Sequence, residues 1–279
     1  MKCNWLIGSI FIDENLEKLV NEIKRQGFSV KFQENRLGLT ADDLYKHYGP
    51  DECVVCYGSI ATSQLVLKST SWVPGAFLDM PQYECSTYYS HFGDYLLNNQ
   101  YIMLPFGDLD RTRNFLLRSL ETEAIFVRPS TGFKLFTGTV LKDNNWKNDL
   151  SNLKFNQVES HKMVVVAPAQ EIRREWRLAI ADEQVIAGTQ YMNCGEIDHQ
   201  SDCPNSVWEF GRQVLAGCPW RPERVWTMDI GELKDKLAVV EINSFSAAGL
   251  YCCEKEPVVR EVSRIALEMW QEYQKEVSR

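Results

Sequence analysis

Residues 224–245, "RVWTMDIGELKDKLAVVEINSF", decide how this chain reads. Two apolar runs flank the polar Lys234, Asp235 and Lys236, the pattern of a hairpin-like strand pair. In the second run, strand alternation sends Glu241 and Asn243 to one face. Asp229 lies on the neighbouring strand of the proposed pair. Two carboxylates and an amide oxygen form an oxygen-only donor set, which suits magnesium completed by phosphate oxygens and water. The competing reading is a solvated sheet face. Val239, Val240 and Ile242 read as buried, so metal ligation by Asp229, Glu241 and Asn243 is the expectation.

Working towards the N-terminus, "EIRREWR" (171–177) leads into an amphipathic strand. Glu175 and Arg177 are two apart and share a face. An acid there suits a ribose diol, and a base suits phosphate or a substrate carboxylate. A surface cross-strand ion pair reads equally well. Before it, "AIFVRPSTGFKLFTGTVL" (124–141) is strand, small-residue loop, strand. Such a loop can close over phosphates and offer backbone N–H groups. Arg128 ends the first strand and Lys134 lies in the loop, one a planar fork and the other a point charge. Many ordinary hairpins carry the same residues.

The first ninety or so residues read as a small α/β lobe. "NWLIGSIFI" is a buried strand, and residues 13–27 put Leu16, Leu19, Val20 and Ile23 on one helical face, ended by Gly27. "FSVKFQ" and "CVVCYGSI" are further strands, and "ATSQLVLK" is helical. Residues 73–108, rich in Pro, Gly, Tyr and Asp, read as a lobe boundary. "RTRNFLLRSLE" is a short helix, and "KMVVVAPAQEI" and "REWRLAIADEQVIAGTQY" are strands, the latter a pair joined at Asp182-Glu183. Residues 204–217 and 256–276 are helices.

With 44% hydrophobic and 24% charged residues, the composition is that of an ordinary globular chain. Its formal net charge of −8 disfavours non-specific nucleic-acid binding. The apolar run Trp5–Ile12, stopped by Asp13 and Glu14, is too short to span a membrane. Nine scattered cysteines and no leader-like start point to a reducing cytoplasm. Cys53 and Cys56 form a C-x-x-C inside an apolar strand. Cys194, His199, Cys203 and Cys218 could supply four zinc ligands, although their spacing fits no standard finger.

The order strand–Arg/Lys–glycine loop, hinge strand, E-x-R, D, E-x-N resembles the ATP-grasp superfamily. "VRP" at Val127–Pro129 stands where that family has V-K-P. Its hinge motif corresponds to Glu171 through Arg177, and its metal motifs to Asp229 and to "EINSFSAAG" (241–249). The chain looks most similar to a divergent bacterial and phage branch with arginine in place of the usual lysine. The resemblance implies an α+β ATP-grasp fold over residues 100–279, with a first lobe at about 100–165 and a second at about 166–279. A small α/β lobe over residues 1–99 would precede it.

It further implies that Arg128 and Lys134 hold ATP phosphates and that the backbone of Val165, Val166 and Ala167 meets adenine. Glu171 and Glu175 become candidates for the adenine edge and ribose. Asp229, Glu241 and Asn243 would hold Mg2+, and Arg177 would stabilise the transferred phosphoryl group. Several relatives carry an arginine where this chain has Thr227, so Arg177 or Arg224 would take that role. The implied activity is an ATP- and Mg-dependent carboxylate–amine ligase working through an acyl phosphate. The alternatives are a phosphotransferase using a hydroxyl acceptor and a nucleotide-binding regulator without catalysis. A partner-binding module presenting Tyr88, Tyr89 and Phe92 ranks last.

Overall fold

The computed structural model describes residues 2–9, 13–133, 135–155, 157–234 and 236–279. The chain opens with β1 (Asn4–Ser9), α1 (Glu14–Arg25), β2 (Ser29–Glu34), α2 (Ala41–Tyr45), β3 (Cys53–Tyr57), α3 (Ile60–Ser69) and β4 (Val73–Gly75). Next come α4 (Cys85–Phe92), β5 (Ile102–Pro105), α5 (Arg113–Ser119), β6 (Ala124–Pro129), β7 (Thr139–Lys142), α6 (Trp146–Lys154) and β8 (Met163–Pro168). It closes with β9 (Arg174–Ala181), β10 (Gln184–Asn193), β11 (Glu196–Gln200), α7 (Asn205–Gly217), β12 (Val225–Glu232), β13 (Leu237–Ser244) and α8 (Lys255–Val277). The chain divides into two compact units, one of Met1–Asp79, Arg174–Ile230 and Ile242–Arg279, the other of Met80–Arg173 and Gly231–Glu241.

In the first unit, β1, β2, β3 and β4 form a parallel sheet in the order β2-β1-β3-β4. All five residues of β3 are buried, as a strand covered on both faces requires. Asp13 caps α1 by accepting from the Leu16 N–H, and Leu19, Val20 and Ile23 form its buried stripe. Past its end the Phe28 N–H reaches the Ile23 carbonyl and the Gly27 N–H that of Lys24. Gly27 takes the required left-handed φ of 79°.

The segment after β13 is tied to the end of this sheet. The Ser246 hydroxyl donates to the Cys56 carbonyl at 2.6 Å and accepts from the Phe77 N–H at 2.9 Å. Phe245 packs against Trp5, Tyr57 and Phe77. A core of Trp5, Ile7, Val55, Phe245, Val259 and Val262 joins the parallel sheet to α8. A second sheet runs β11-β10-β9-β12-β13, and β9 turns into β10 at Asp182, whose φ is 51°.

In the second unit β5, β8, β6 and β7 form an antiparallel sheet in the order β5-β8-β6-β7. One face carries Ile125, Val127, Val164 and Val166 against Leu116 of α5 and Trp146 and Leu150 of α6.

The stretch 73–108, read from its composition as a boundary, contains α4 and β5. Its Pro and Gly content conceals Cys85, Tyr88, Tyr89 and Phe92, which recur at helical spacing and are 1–2% exposed. These aromatics are packing residues, so Tyr88, Tyr89 and Phe92 are not presented to a partner. Among the described residues no helix is long and apolar enough to cross a membrane.

Candidate functional site

β6 alternates buried and half-buried positions, with Ile125, Val127 and Pro129 on the core side and Arg128 on the other. Arg128 pairs with Val165 and Phe126 with Ala167, so these four share the face away from α5 and α6. Arg128 Nη2 donates to Glu241 Oε2 at 2.6 Å, with the two side chains only 15% and 19% exposed. Charge-assisted bonds of this kind strengthen as water is excluded. Burial disfavours the Arg128 charge, yet surrounding Tyr88, Glu241 and Cys85 hold its pKa well above the usual arginine value. Burial pushes the Cys85 thiol up, against the pull of Arg128.

The loop after β6 is rooted by two backbone bonds. The Ser130 N–H donates to the Met163 carbonyl at 3.0 Å, and the Ser130 carbonyl accepts from the Cys85 N–H at 2.7 Å. Phe133 and Leu135 stand partly exposed at its tip, bordering a cavity of about 500 Å3 also lined by Ser130, Thr131, Met103 and Met163. Lys134 lies outside the described residues. Val165 and Val166 have strand partners on both sides, β5 and β6. The β5 register ends at Ile102 opposite Val166, so Ala167 is paired on the β6 side only. Glu171 is exposed ahead of β9.

In the first unit the central feature is Arg177 on Asp229. Arg177 Nε and Nη2 reach Asp229 Oδ1 and Oδ2 at 2.8 and 2.7 Å. Arg177 Nη1 donates to the Gly249 carbonyl at 3.2 Å. The Asp229 side chain is fully buried and that of Arg177 is 7% exposed. The Asn243 amide donates to Asp229 Oδ2 at 3.2 Å, as neighbouring β12 and β13 allow. The Tyr191 hydroxyl donates to Glu175 at 2.7 Å and lies 3.4 Å from Asp229 Oδ2. The Tyr191 and Tyr251 rings stack at 5.3 Å, and the Arg177 guanidinium lies 5.3 and 5.2 Å from them.

Three of the five guanidinium N–H groups of Arg177 go to Asp229 and Gly249. These bonds make Arg177 a holder of Asp229. Arg224, the other residue considered for a phosphoryl contact, is held by Asp182 and Glu268 at 2.7 Å each. Thr227 is buried and donates to the Asn243 carbonyl at 3.4 Å.

The cysteines are not assembled into a metal centre. Among the described residues no group of three or more His, Cys, Asp or Glu could hold an ion, which sets aside zinc on Cys194, His199, Cys203 and Cys218. The Cys218 thiol donates to the Trp220 carbonyl. Cys53 and Cys56 are buried in β3, and burial lifts the Cys56 thiol to about 12, far from a reactive thiolate.

Asp229 and Asn243 of the first unit, and Glu241 of the second, each carry oxygen donors of the kind a hard divalent cation takes. A carboxylate offers about four lone-pair positions, and Asp229 already meets Arg177 twice, Asn243 and Tyr191, so an ion there would displace one of these donors. Both carboxylates stand neutralised by arginines, Asp229 by Arg177 and Glu241 by Arg128.

A family model described as ATP-grasp domain, R2K clade family 2, matches residues 108–260, more than half of the chain. The chain belongs to this ATP-grasp family. Its fold is likewise the ATP-grasp fold. The D-cycloserine synthetase DcsG superposes with a TM-score of 0.62 at 12% identity, covering 94% of this chain and 99% of that one. D-alanyl-alanine synthetase A from Vibrio cholerae O1 biovar eltor gives a TM-score of 0.61 at 12% identity, covering 96% and 98%. The ATP-grasp ligase PsnB complexed with minimal precursor, Mg and ADP gives 0.52 at 12% identity, covering 96% and 98%. At these identities the likeness concerns the fold. No curated protein matches the chain.

Within the ATP-grasp frame, Tyr191 and Tyr251 flank the Arg177 guanidinium, and Lys255 bonds the Tyr251 carbonyl, none of them singled out from the sequence. The only signal available was Tyr251 and Lys255 shortly after the E-x-N segment, neither of them periodic.

Proposed function

We propose that the chain is an ATP- and Mg2+-dependent ligase that joins a carboxylate to an amine through an acyl phosphate. The observation that carries this reading is the Arg128–Glu241 pair at 2.6 Å, at the root of a Ser/Thr/Gly loop on the sheet face away from α5 and α6. A phosphate would take over Arg128, and a phosphate-bound cation would take over Glu241.

Arg128 binds the polyphosphate as a planar fork, with Lys134 as the proposed second cation of the loop. The backbone about Val165, Val166 and Ala167 is the proposed adenine edge, with its freer side at Ala167. Glu171 and Glu175 are proposed for the adenine and ribose. Asp229, Glu241 and Asn243 are the proposed ligands of Mg2+. When bound, the ion neutralises charge that builds on the transferring phosphoryl group.

Arg177 orients Asp229 through both carboxylate oxygens. The loop with Phe133 and Leu135 at its tip would shield the acyl phosphate from water. The proposed partners are ATP, a carboxylate and an amine carried by a small molecule, peptide or protein, in a cytoplasmic setting.

The test is ADP release with candidate carboxylates and amines, with products analysed by mass spectrometry. An amide formed with Mg2+ and ATP supports the reading. A phosphorylated acceptor without an amide replaces it with a phosphotransferase.

A further inference from the structure

Lys255, the first residue of α8, is only 8% exposed, which is unusual for a lysine. Its ammonium donates to the carbonyls of Tyr251 at 2.5 Å, Cys253 at 2.9 Å and Leu250 at 3.3 Å. Three donors meet three carbonyls, so the ammonium is saturated. Burial lowers the Lys255 pKa, with the nearby Cys253 opposing that shift. Without a cation, three carbonyl dipoles would converge on a buried point with nothing to offset them.

The turn these carbonyls belong to is the one that touches Arg177. Gly249 supplies the carbonyl for Arg177 Nη1. Tyr251 sits at a left-handed φ of 39°, a costly conformation for a tyrosine that its surroundings must enforce. Its ring stacks on Tyr191 and lies 5.2 Å from the Arg177 guanidinium. Tyr57 ties the turn's start, accepting from the Leu250 N–H at 3.1 Å and donating to the Ala248 carbonyl at 2.8 Å. Arg177 in turn holds both oxygens of Asp229.

We propose that Lys255 is a positioning residue. Set among the carbonyls of Leu250, Tyr251 and Cys253, it fixes the turn that holds Arg177 and, through Arg177, the Asp229 carboxylate in the geometry a divalent cation needs. This rests on the reading of Asp229 as a metal ligand.

The experiment is a Mn2+ titration followed by electron paramagnetic resonance, with a non-hydrolysable ATP analogue present, on the full chain and on Lys255→Met. A parallel titration measures analogue affinity in chelator. The expected result is Mn2+ affinity about tenfold or more weaker in Lys255→Met, the scale seen when outer partners of metal ligands are removed. Affinity for the metal-free analogue should be unchanged. A purely structural lysine would move both affinities or neither, and either pattern overturns the proposal. Should Lys255→Met not fold, Tyr251→Gly takes its place. Glycine tolerates the left-handed backbone and removes only the ring, so undiminished Mn2+ affinity in that folded variant overturns the proposal. Absence of Mn2+ binding by the unsubstituted protein overturns the metal reading itself, and the proposal with it.

Discussion

Arg128 and Glu241 form a 2.6 Å ion pair, more than four fifths buried on both sides. The pair joins β6 to β13 within one compact unit, across 113 residues of sequence. Removing one partner of such a pair strands the other charge, at a cost of about 3–5 kcal/mol. On the proposed reading, nucleotide with its metal would replace both partners at once: an anion for Arg128 and a cation for Glu241. Nucleotide alone would replace only one and leave Glu241 near a polyphosphate.

A sign reversal follows for Glu241→Gln. Metal-free ATP should bind this variant more tightly than the unsubstituted protein, because no carboxylate competes for Arg128 or repels phosphate. MgATP should bind it less tightly. Calorimetric titrations with chelator and with Mg2+ check both signs, and equal affinities in both proteins contradict the pairing argument.

Asp229→Asn should lower stability by about 3–5 kcal/mol, since Arg177 would keep a buried charge without its counter-ion. Urea unfolding measures this. A loss below about 1 kcal/mol, the range of exposed pairs, would mean that Arg177 finds another partner.

Ser246→Ala should cost about 1–3 kcal/mol, because the Phe77 N–H loses its acceptor in a fully buried setting. The same substitution loosens the segment that follows the Glu241–Asn243 motif. Hydrogen exchange at the Phe77 amide reports it directly, as faster exchange in the variant.

Acid should weaken the network around Asp182. Bonds from Arg224, and secondarily Arg264, hold the Asp182 carboxyl below its usual range. A depressed folded-state pKa gives stability that is complete above the unfolded value, about 3.9. That stability is lost as pH falls through the folded value. The unsubstituted protein and Asp182→Asn should therefore differ in urea midpoint at pH 7 and converge towards pH 2. A constant difference across that range removes Asp182 from the acid response.

The β12–β13 pair was legible because its signal is local. Alternation within "VVEIN" and an apolar run before Asp229 suffice to put Asp229 and Asn243 on adjacent strands, where the amide reaches the carboxylate at 3.2 Å. Arg128 at the end of β6 was legible for the same reason. The partner of Arg128 was not, because a contact between residues so far apart leaves no local periodicity. The bond of Arg177 to Asp229, 52 residues on, likewise depends on long-range geometry. The carbonyl cage of Lys255 lies within a few residues of sequence, but carbonyl directions in a turn are set by backbone torsions that side-chain identity does not reveal. Helix α4 was hidden by composition, since Pro, Gly and Tyr around it mask an ordinary apolar stripe.

The most direct test of the nucleotide site is calorimetric titration of MgATP into the unsubstituted protein and Arg128→Ala. A charge-assisted contact to phosphate contributes about 1.5–3 kcal/mol, so the expected loss of affinity is roughly ten- to a hundredfold. Equal MgATP affinity in the two folded proteins would contradict the account, since Arg128 would then have no part in holding the nucleotide.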